Sequence, residues 1–214
     1  MQRRLEPELL DSLPPDDPAA LHSRRDLLLV NRVMGNALWF EATLARVVRP
    51  GERVIELGSG TGDLAARLRR ITPLIDGIDR VPPPPYWPAT AHWHQTDILT
   101  FTGWDTATVV IGNLILHHFD NATLRTLGTA ISQHARVLIF SEPTRKRRNQ
   151  WIWNLAAPLC GANYVTRHDG RVSIAAGFLG DELPHALGLD PAVWRWSISH
   201  TWQGAYHLIA ERRP

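Results

Sequence analysis

The chain has 214 residues with 23 Lys and Arg against 21 Asp and Glu, a formal net charge of +2, 44% hydrophobic and 21% charged residues. This suits one soluble globular domain with a continuous core, excludes a disordered or fibrous chain, and gives no general attraction to nucleic acid or another polyanion. The single cysteine, Cys160, allows neither an intramolecular disulfide nor an all-cysteine metal site, which fits a reducing compartment. Residues 1 to 7 lead into no signal-like apolar stretch and no apolar run reaches membrane-spanning length, so a cytoplasmic protein without a membrane partner is expected.

In chain order, residues 5 to 48 read as helices, with Leu9, Leu10 and Leu13, then Leu21, Leu27, Leu28 and Val33, then Leu38, Leu44 and Val48 at helical spacings. Pro14, Pro15 and Pro18 interrupt this run, and Gly35 punctuates it again. From Pro50 onward short apolar runs at 53–57, 73–78, 91–95, 108–112 and 136–140 are expected strands. Helices are expected at 63–70 and 121–133, giving the βαβ rhythm of a parallel sheet. A Trp-rich stretch at 149–157 reads as helical and is followed by a polar loop around Arg167, His168, Asp169 and Gly170. Two last strands, 194–200 and 205–211, flank Gln203-Gly204, a hairpin turn. The proline run Pro82 to Pro85 cannot be helical, because proline lacks the amide donor and fixes φ.

The strongest chemical signal is Val54-Ile55-Glu56-Leu57-Gly58-Ser59-Gly60-Thr61-Gly62-Asp63, an apolar strand running into a glycine turn that opens a helix. A nicotinamide-binding loop normally has a third glycine three positions after Gly60, where Asp63 stands. Asp79-Arg80 ends the second strand about twenty residues downstream, the usual place of a carboxylate that accepts ribose hydroxyls. Asp97-Ile98 follows the third strand, where a carboxylate can accept from an exocyclic amine. Asn113-Leu114-Ile115-Leu116-His117-His118-Phe119 follows the fourth. All four lie at carboxyl ends of parallel strands, where open α/β sheets bind ligands.

These residues resemble the class I S-adenosylmethionine-dependent methyltransferases. The resemblance implies a Rossmann-like α/β fold, a seven-stranded mostly parallel sheet with a C-terminal antiparallel hairpin, preceded here by an N-terminal helical lid. It divides the chain into a lid, 1–49, and an S-adenosylmethionine-binding domain, 50–214. Glu56, Gly58, Gly60 and Gly62 match the loop that wraps the methionyl part, Asp79 with Arg80 the ribose site, Asp97 with Ile98 the adenine site, and Asn113 the segment beside the sulfonium. The segment around the fourth strand is also similar to bacterial small-molecule methyltransferases of the quinone- and polyketide-modifying type. That implies O- or C-methylation of an aromatic, phenolic or polyketide-like acceptor, with S-adenosylhomocysteine as product. The proline run departs from the family, which commonly has a helix there.

Each feature has a plainer reading. The glycine loop is also a strand-to-helix turn, and Asp79 or Asp97 alone is an ordinary loop acid or helix cap. His117 and His118 are either a polar pair at a helix start or candidates for a general base, with the choice between them open. His168, Asp169 and Trp151 are candidates for acceptor contacts or a solvated surface. His92 and His94 alternate on one strand without a third ligand, so no metal is assigned. The cations Arg145 to Arg148 oppose the dipole of the helix they start and hint at an anionic neighbour. A nicotinamide oxidoreductase and a non-catalytic cofactor-binding protein stand as alternatives. A nucleic-acid methyltransferase is disfavoured by the near-neutral charge and the lack of an Asn/Asp-Pro-Pro-Tyr motif after the fourth strand.

Overall fold

The structure, a computed structural model, describes residues 1 to 14 and 16 to 214; Pro15, one of the expected helix interruptions, lies outside the described residues. Seven strands, β1 Val54–Leu57, β2 Ile75–Asp79, β3 Trp93–Gln95, β4 Val109–Asn113, β5 Val137–Pro143, β6 Trp194–His200 and β7 Ala205–Arg212, form one sheet. Its order is β3-β2-β1-β4-β5-β7-β6. The first five strands run parallel, and β7 pairs antiparallel with both β5 and β6. The fold is therefore the expected mostly parallel seven-stranded sheet with a C-terminal hairpin. Strand order reverses between β1 and β4, which opens a crevice at their carboxyl ends.

Alternate residues of the central strands supply two cores, as the period of two in a strand requires. Val110, Leu138 and Phe140 join Leu124, Leu127 and Ile131 of α4 (Asn121–Ser132) on one face. Val109, Ile111, Val137 and Ile139 join Ala65 and Leu68 of α3 (Asp63–Leu68) on the other, together with Phe40 and Leu44 of α2 (Asn36–Val47). Burial on both faces explains why β1, apart from Glu56, and the first four residues of β5 read as apolar runs rather than alternating ones.

The N-terminus departs from the helical expectation. Helix α1 spans Pro18–Met34, with Pro18 in its first turn and the Asp17 carboxylate accepting from Ala19 N at 2.7 Å. Proline starts this helix because its missing amide lies where no intrahelical partner exists. Residues 5 to 13 form no helix. The amides of Leu9 and Leu10 donate instead to the Asp169 carboxylate at 2.8 and 3.0 Å, so a side chain takes donors that a helix would use.

The expected polar loop around His168 is also corrected. Those residues lie inside α6 (Tyr164–Ala176), which follows α5 (Arg147–Leu159). Asn163 caps α6, accepting from Thr166 N at 2.9 Å, and Val165, Val172 and Ala176 bury its inner side. Gly170, which reads as a turn signal, is helical because the Trp153 ring lies against it: a Cβ there would stand 2.2 Å from that ring. A short α7 (Glu182–Ala186) precedes the hairpin and has no counterpart in the sequence reading. The proline run holds no helix, as expected, and leads directly from β2 to β3.

Candidate active site

The glycine loop between β1 and α3 turns through left-handed conformations at Gly58, Gly60 and Gly62, with φ of 62°, 52° and 75°. At Gly58 a Cβ would strike Ile115 at 2.8 Å, whereas at Gly60 it would meet nothing within 4 Å. The backbone of Gly60 thus faces open space, a cradle in which only hydrogen limits the approach of a ligand. Asp79, at the end of β2, accepts from Gly60 N at 2.7 Å and from Val81 N at 3.1 Å, which fixes its carboxylate at the mouth of that cradle. Asp97 accepts from Leu99 N at 2.9 Å and pairs with Arg80 at 2.6 Å. The Leu99 amide and the Arg80 guanidinium hold the Asp97 carboxyl below its ordinary range. Ile98 is buried in the core behind this edge.

Glu56, on β1 just before the loop, has one carboxylate oxygen, Oε2, buried and without a hydrogen-bond partner. Burial pushes its carboxyl up to about 8, against donors from Ser59 and Ala65. The proline segment folds back over the outer side of the loop. Tyr86 donates to the Thr61 carbonyl, and a Cβ on Gly62 would press on Pro84 and Trp87 at 3.1 Å. The irregular stretch that replaces a helix therefore acts as a cover for the glycine turn.

Beyond β4 the chain turns at Leu114, whose φ of 56° is unusual for a residue with a Cβ. A single 3-10 turn, Leu116–His118, follows. Its scaffold is Glu142 on β5, fully buried, which accepts from the amides of Ile115 at 3.1 Å, Leu116 at 2.8 Å and His117 at 3.3 Å, and meets His117 Nδ1 at 2.7 Å. His117 Nε2 faces Glu8 Oε1 at 3.7 Å. Burial alone would lower the His117 pKa, but Glu142 and then Glu8 outweigh it and raise it to about 9. His117 is thus a buried imidazolium between two carboxylates. His118 projects outward, and burial of part of its ring followed by the charge of His117 lowers its pKa, so it is neutral at physiological pH. Of the pair, only His118 is exposed at the surface.

The N-terminal segment lies across this turn. Arg3 donates to the carbonyls of Phe119 at 2.7 Å and His117 at 3.2 Å, while Glu8 accepts from Ser173 of α6. Asn113 is held from the same side: it donates to Asn31 Oδ1 at 2.9 Å and accepts from Asn36 Nδ2 at 2.8 Å. Glu142, Glu8, Asn31 and Asn36 belong to no motif visible in the sequence. The only available signals were a charged residue inside the apolar run of β5 and polar residues inside otherwise apolar helices.

The remaining candidates fall elsewhere. Asp169 is buried and spends both oxygens on Leu9, Leu10 and the neighbouring His168 ring. His168 borders an outer groove between α5 and α6 with Trp153, Tyr164, Arg167 and Arg171. Trp151 stands 79% exposed on α5. Among the described residues, Glu8, His117 and His118 bring three possible metal donors within 4.8 Å of one another. A metal there would have to displace the proton that Glu142 and Glu8 hold on His117.

No protein-family model matches the chain. No curated protein matches it either. Solved structures share its architecture at low identity. The plantazolicin methyltransferase BpumL, in complex with a triazolic desmethylPZN analog and SAH, is 11% identical, with 96% of this chain and 93% of that one covered at a TM-score of 0.73. The pyocyanin biosynthetic protein PhzM is 16% identical over 92% of this chain and 60% of that one, TM-score 0.60. The methyltransferase domain of bacterial CtHen1-C is 13% identical over 87% of this chain and 100% of that one, TM-score 0.58. Sheet order, hairpin and crevice agree with these comparisons: the chain has the fold of the class I S-adenosylmethionine-dependent methyltransferases.

Proposed function

We propose that the chain transfers the methyl group of S-adenosylmethionine to a small-molecule acceptor, at oxygen or carbon of an aromatic, phenolic or polyketide-like compound. The cradle fits that cofactor. Gly60 presents bare backbone to open space, Glu56 keeps a buried oxygen without a partner, and Asp79 stands at the mouth with a fixed carboxylate. Glu56, Gly58, Gly60 and Gly62 would hold the methionyl end, Asp79 and Arg80 the ribose, Asp97 and Ile98 the adenine, with Asn113 beside the reacting carbon. When bound, the cofactor supplies an electrophilic methyl carbon on a positively charged sulfur.

The observation that carries the reading is the neutral, outward-facing His118 beside a buried His117–Glu142 pair, directly after β4. Glu142 fixes the turn, His117 spreads its charge into two carboxylates, and His118 takes the proton of an acceptor hydroxyl or enol as the new bond forms. Alignment of nucleophile, carbon and sulfur supplies the larger part of the rate. Residues 1 to 49 close the acceptor side: Glu8 lies over His117, and Asn31 and Asn36 hold Asn113.

Incubation with S-adenosylmethionine labelled in its methyl group and a panel of phenols, quinols and enolic polyketides tests the proposal. Label in an extractable product supports it. Binding of NADH without label transfer supports an oxidoreductase, and S-adenosylhomocysteine binding without transfer to any acceptor supports a non-catalytic binder.

A further inference from the structure

The near-neutral charge of the whole chain conceals a local imbalance. Residues 143 to 168 contain no Asp or Glu but carry Arg145, Lys146, Arg147, Arg148 and Arg167. Arg145 is buried and paired with Glu182, which leaves the other four at the surface or partly so. Helix α5 starts within this run and turns an apolar side outward. Trp151, Ile152, Leu155 and Leu159 are 79%, 50%, 70% and 80% exposed, at a spacing that puts them on one helix face. Helix interiors of water-soluble folds do not usually leave such side chains in solvent together.

Two neighbours extend the surface. The tip of the β6–β7 hairpin abuts the start of α5, since Thr144 N donates to the Gly204 carbonyl at 2.7 Å and Asn149 donates to Thr144 O at 2.9 Å. Trp202 on that tip is 76% exposed. Along the other side of α5 runs the groove of Tyr164, Arg167, His168 and Arg171, with both guanidinium groups exposed. The result is an exposed row of tryptophan, isoleucine and leucine fringed by long cationic side chains.

We infer that α5 is a peripheral docking surface for an anionic lipid bilayer, lying in the interface plane with Trp151, Leu155, Leu159 and Trp202 among the acyl chains and Lys146, Arg147, Arg148, Arg167 and Arg171 at the headgroup phosphates. The exposure of these apolar side chains and the charge around them select this occupant. Protruding side chains enter a fluid layer without a matching cavity, flexible cations meet mobile anionic headgroups, and indole rings favour the boundary between water and hydrocarbon. No helix of the described residues is long and apolar enough to cross a membrane, so attachment is to one leaflet. Because α5 packs on α6, and α6 on the turn that carries His117 and His118, the bilayer lies one helix away from the proposed acceptor site.

Flotation of the full chain with vesicles tests the inference and needs neither cofactor nor acceptor, so its failure is distinct from failure of the methyl-transfer reading. The chain should float with vesicles of phosphatidylcholine and phosphatidylglycerol, much less with phosphatidylcholine alone, and be released by salt. The double variant W151S/L155S should lower partitioning on the order of tenfold or more. R147E/R148E should remove the salt-sensitive part. Both variants alter exposed side chains, and unchanged thermal melting would show that they fold. Absence of flotation with the anionic vesicles, or equal flotation of both variants, overturns the inference. A dimer in gel filtration that L155S dissolves, without flotation, overturns it in favour of a second copy of the chain.

Discussion

Replacing Glu142 by Gln should remove both the scaffold of the 3-10 turn and the pH dependence that the scaffold creates. In the folded protein the His117 pKa is raised from 6.5 to about 9. A raised pKa means that the folded state binds the proton more tightly than the unfolded chain. The stabilisation is therefore full below pH 6.5 and is lost as pH climbs to about 9. The difference of roughly two and a half pH units corresponds to ~3 kcal/mol. Urea unfolding of the unaltered chain between these limits should show that decline. Glu142→Gln should lower stability at pH 6.5 by about 3 kcal/mol or more, because the buried imidazolium loses its main partner and the amides of Ile115, Leu116 and His117 lose acceptor capacity. The decline toward pH 9 should become much shallower. Glu8→Gln, at a more accessible position, should remove a smaller share of the slope and spare folding if Glu142→Gln does not. Parallel stability curves for all three proteins would refute the assignment of His117 as a buried imidazolium.

Replacing His118 by Ala should lower turnover roughly a hundredfold with S-adenosylhomocysteine affinity nearly intact; steady-state rates and calorimetry separate the two. The rate of the unaltered enzyme should rise with pH through a value below the ordinary imidazole range, because the His118 pKa is lowered and only its neutral form accepts a proton; a flat acid limb would exclude it as the base. Asp79→Ala should weaken S-adenosylhomocysteine binding by about tenfold or more, since the ribose hydroxyls and the Gly60 amide lose one acceptor together; unchanged affinity by calorimetry would remove Asp79 from the site. Gly60→Val should abolish binding by filling the cradle and by placing a β-branched residue at φ 52°, and a bound complex of near-normal affinity would show that the ligand lies elsewhere. Asn31→Ala should cost about 1–3 kcal/mol in urea unfolding by removing the acceptor that the side-chain amides of Asn113 and Asn36 share, and Asn113→Ala should cost a similar amount; a change in cofactor affinity without a change in stability would instead give Asn113 a direct contact.

The sheet was legible because its central strands are buried on both faces. Val137 to Phe140 is an unbroken apolar run and Val54 to Leu57 is interrupted only by Glu56, and the glycine turn and Gln203-Gly204 mark where such runs stop. Structure departs from local signals where tertiary contacts override them. Gly170 reads as a loop residue, yet it is a packing gap for Trp153 inside α6. Leu9, Leu10 and Leu13 stand at helical spacing, yet the backbone there is claimed by a carboxylate some 160 residues away in sequence. Neither partner can be read from a local window, because each acts on a segment far from it in the chain.

The same distinction separates the two halves of the site. The proposed cofactor side is local chemistry: each strand end carries its own acid or glycine within a few residues, so order and spacing along the chain reproduce order in space. The proposed acceptor side is assembled from four distant pieces, the segment around Glu8, the turn at His117, Glu142 on β5 and the start of α1's last turn at Asn31. The tandem histidines were visible, but their division of labour was not. Sequence makes His117 and His118 equivalent neighbours, whereas Glu142 draws one ring inward and charges it, which leaves the other outside and neutral. That division depends on the sharp turn at Leu114, and on β5 pairing with β4 in the register that sets Asn113 opposite Ser141, one residue before Glu142. A shift of one residue in that pairing would turn Glu142 to the opposite face of the sheet, away from the three amides and the ring it serves.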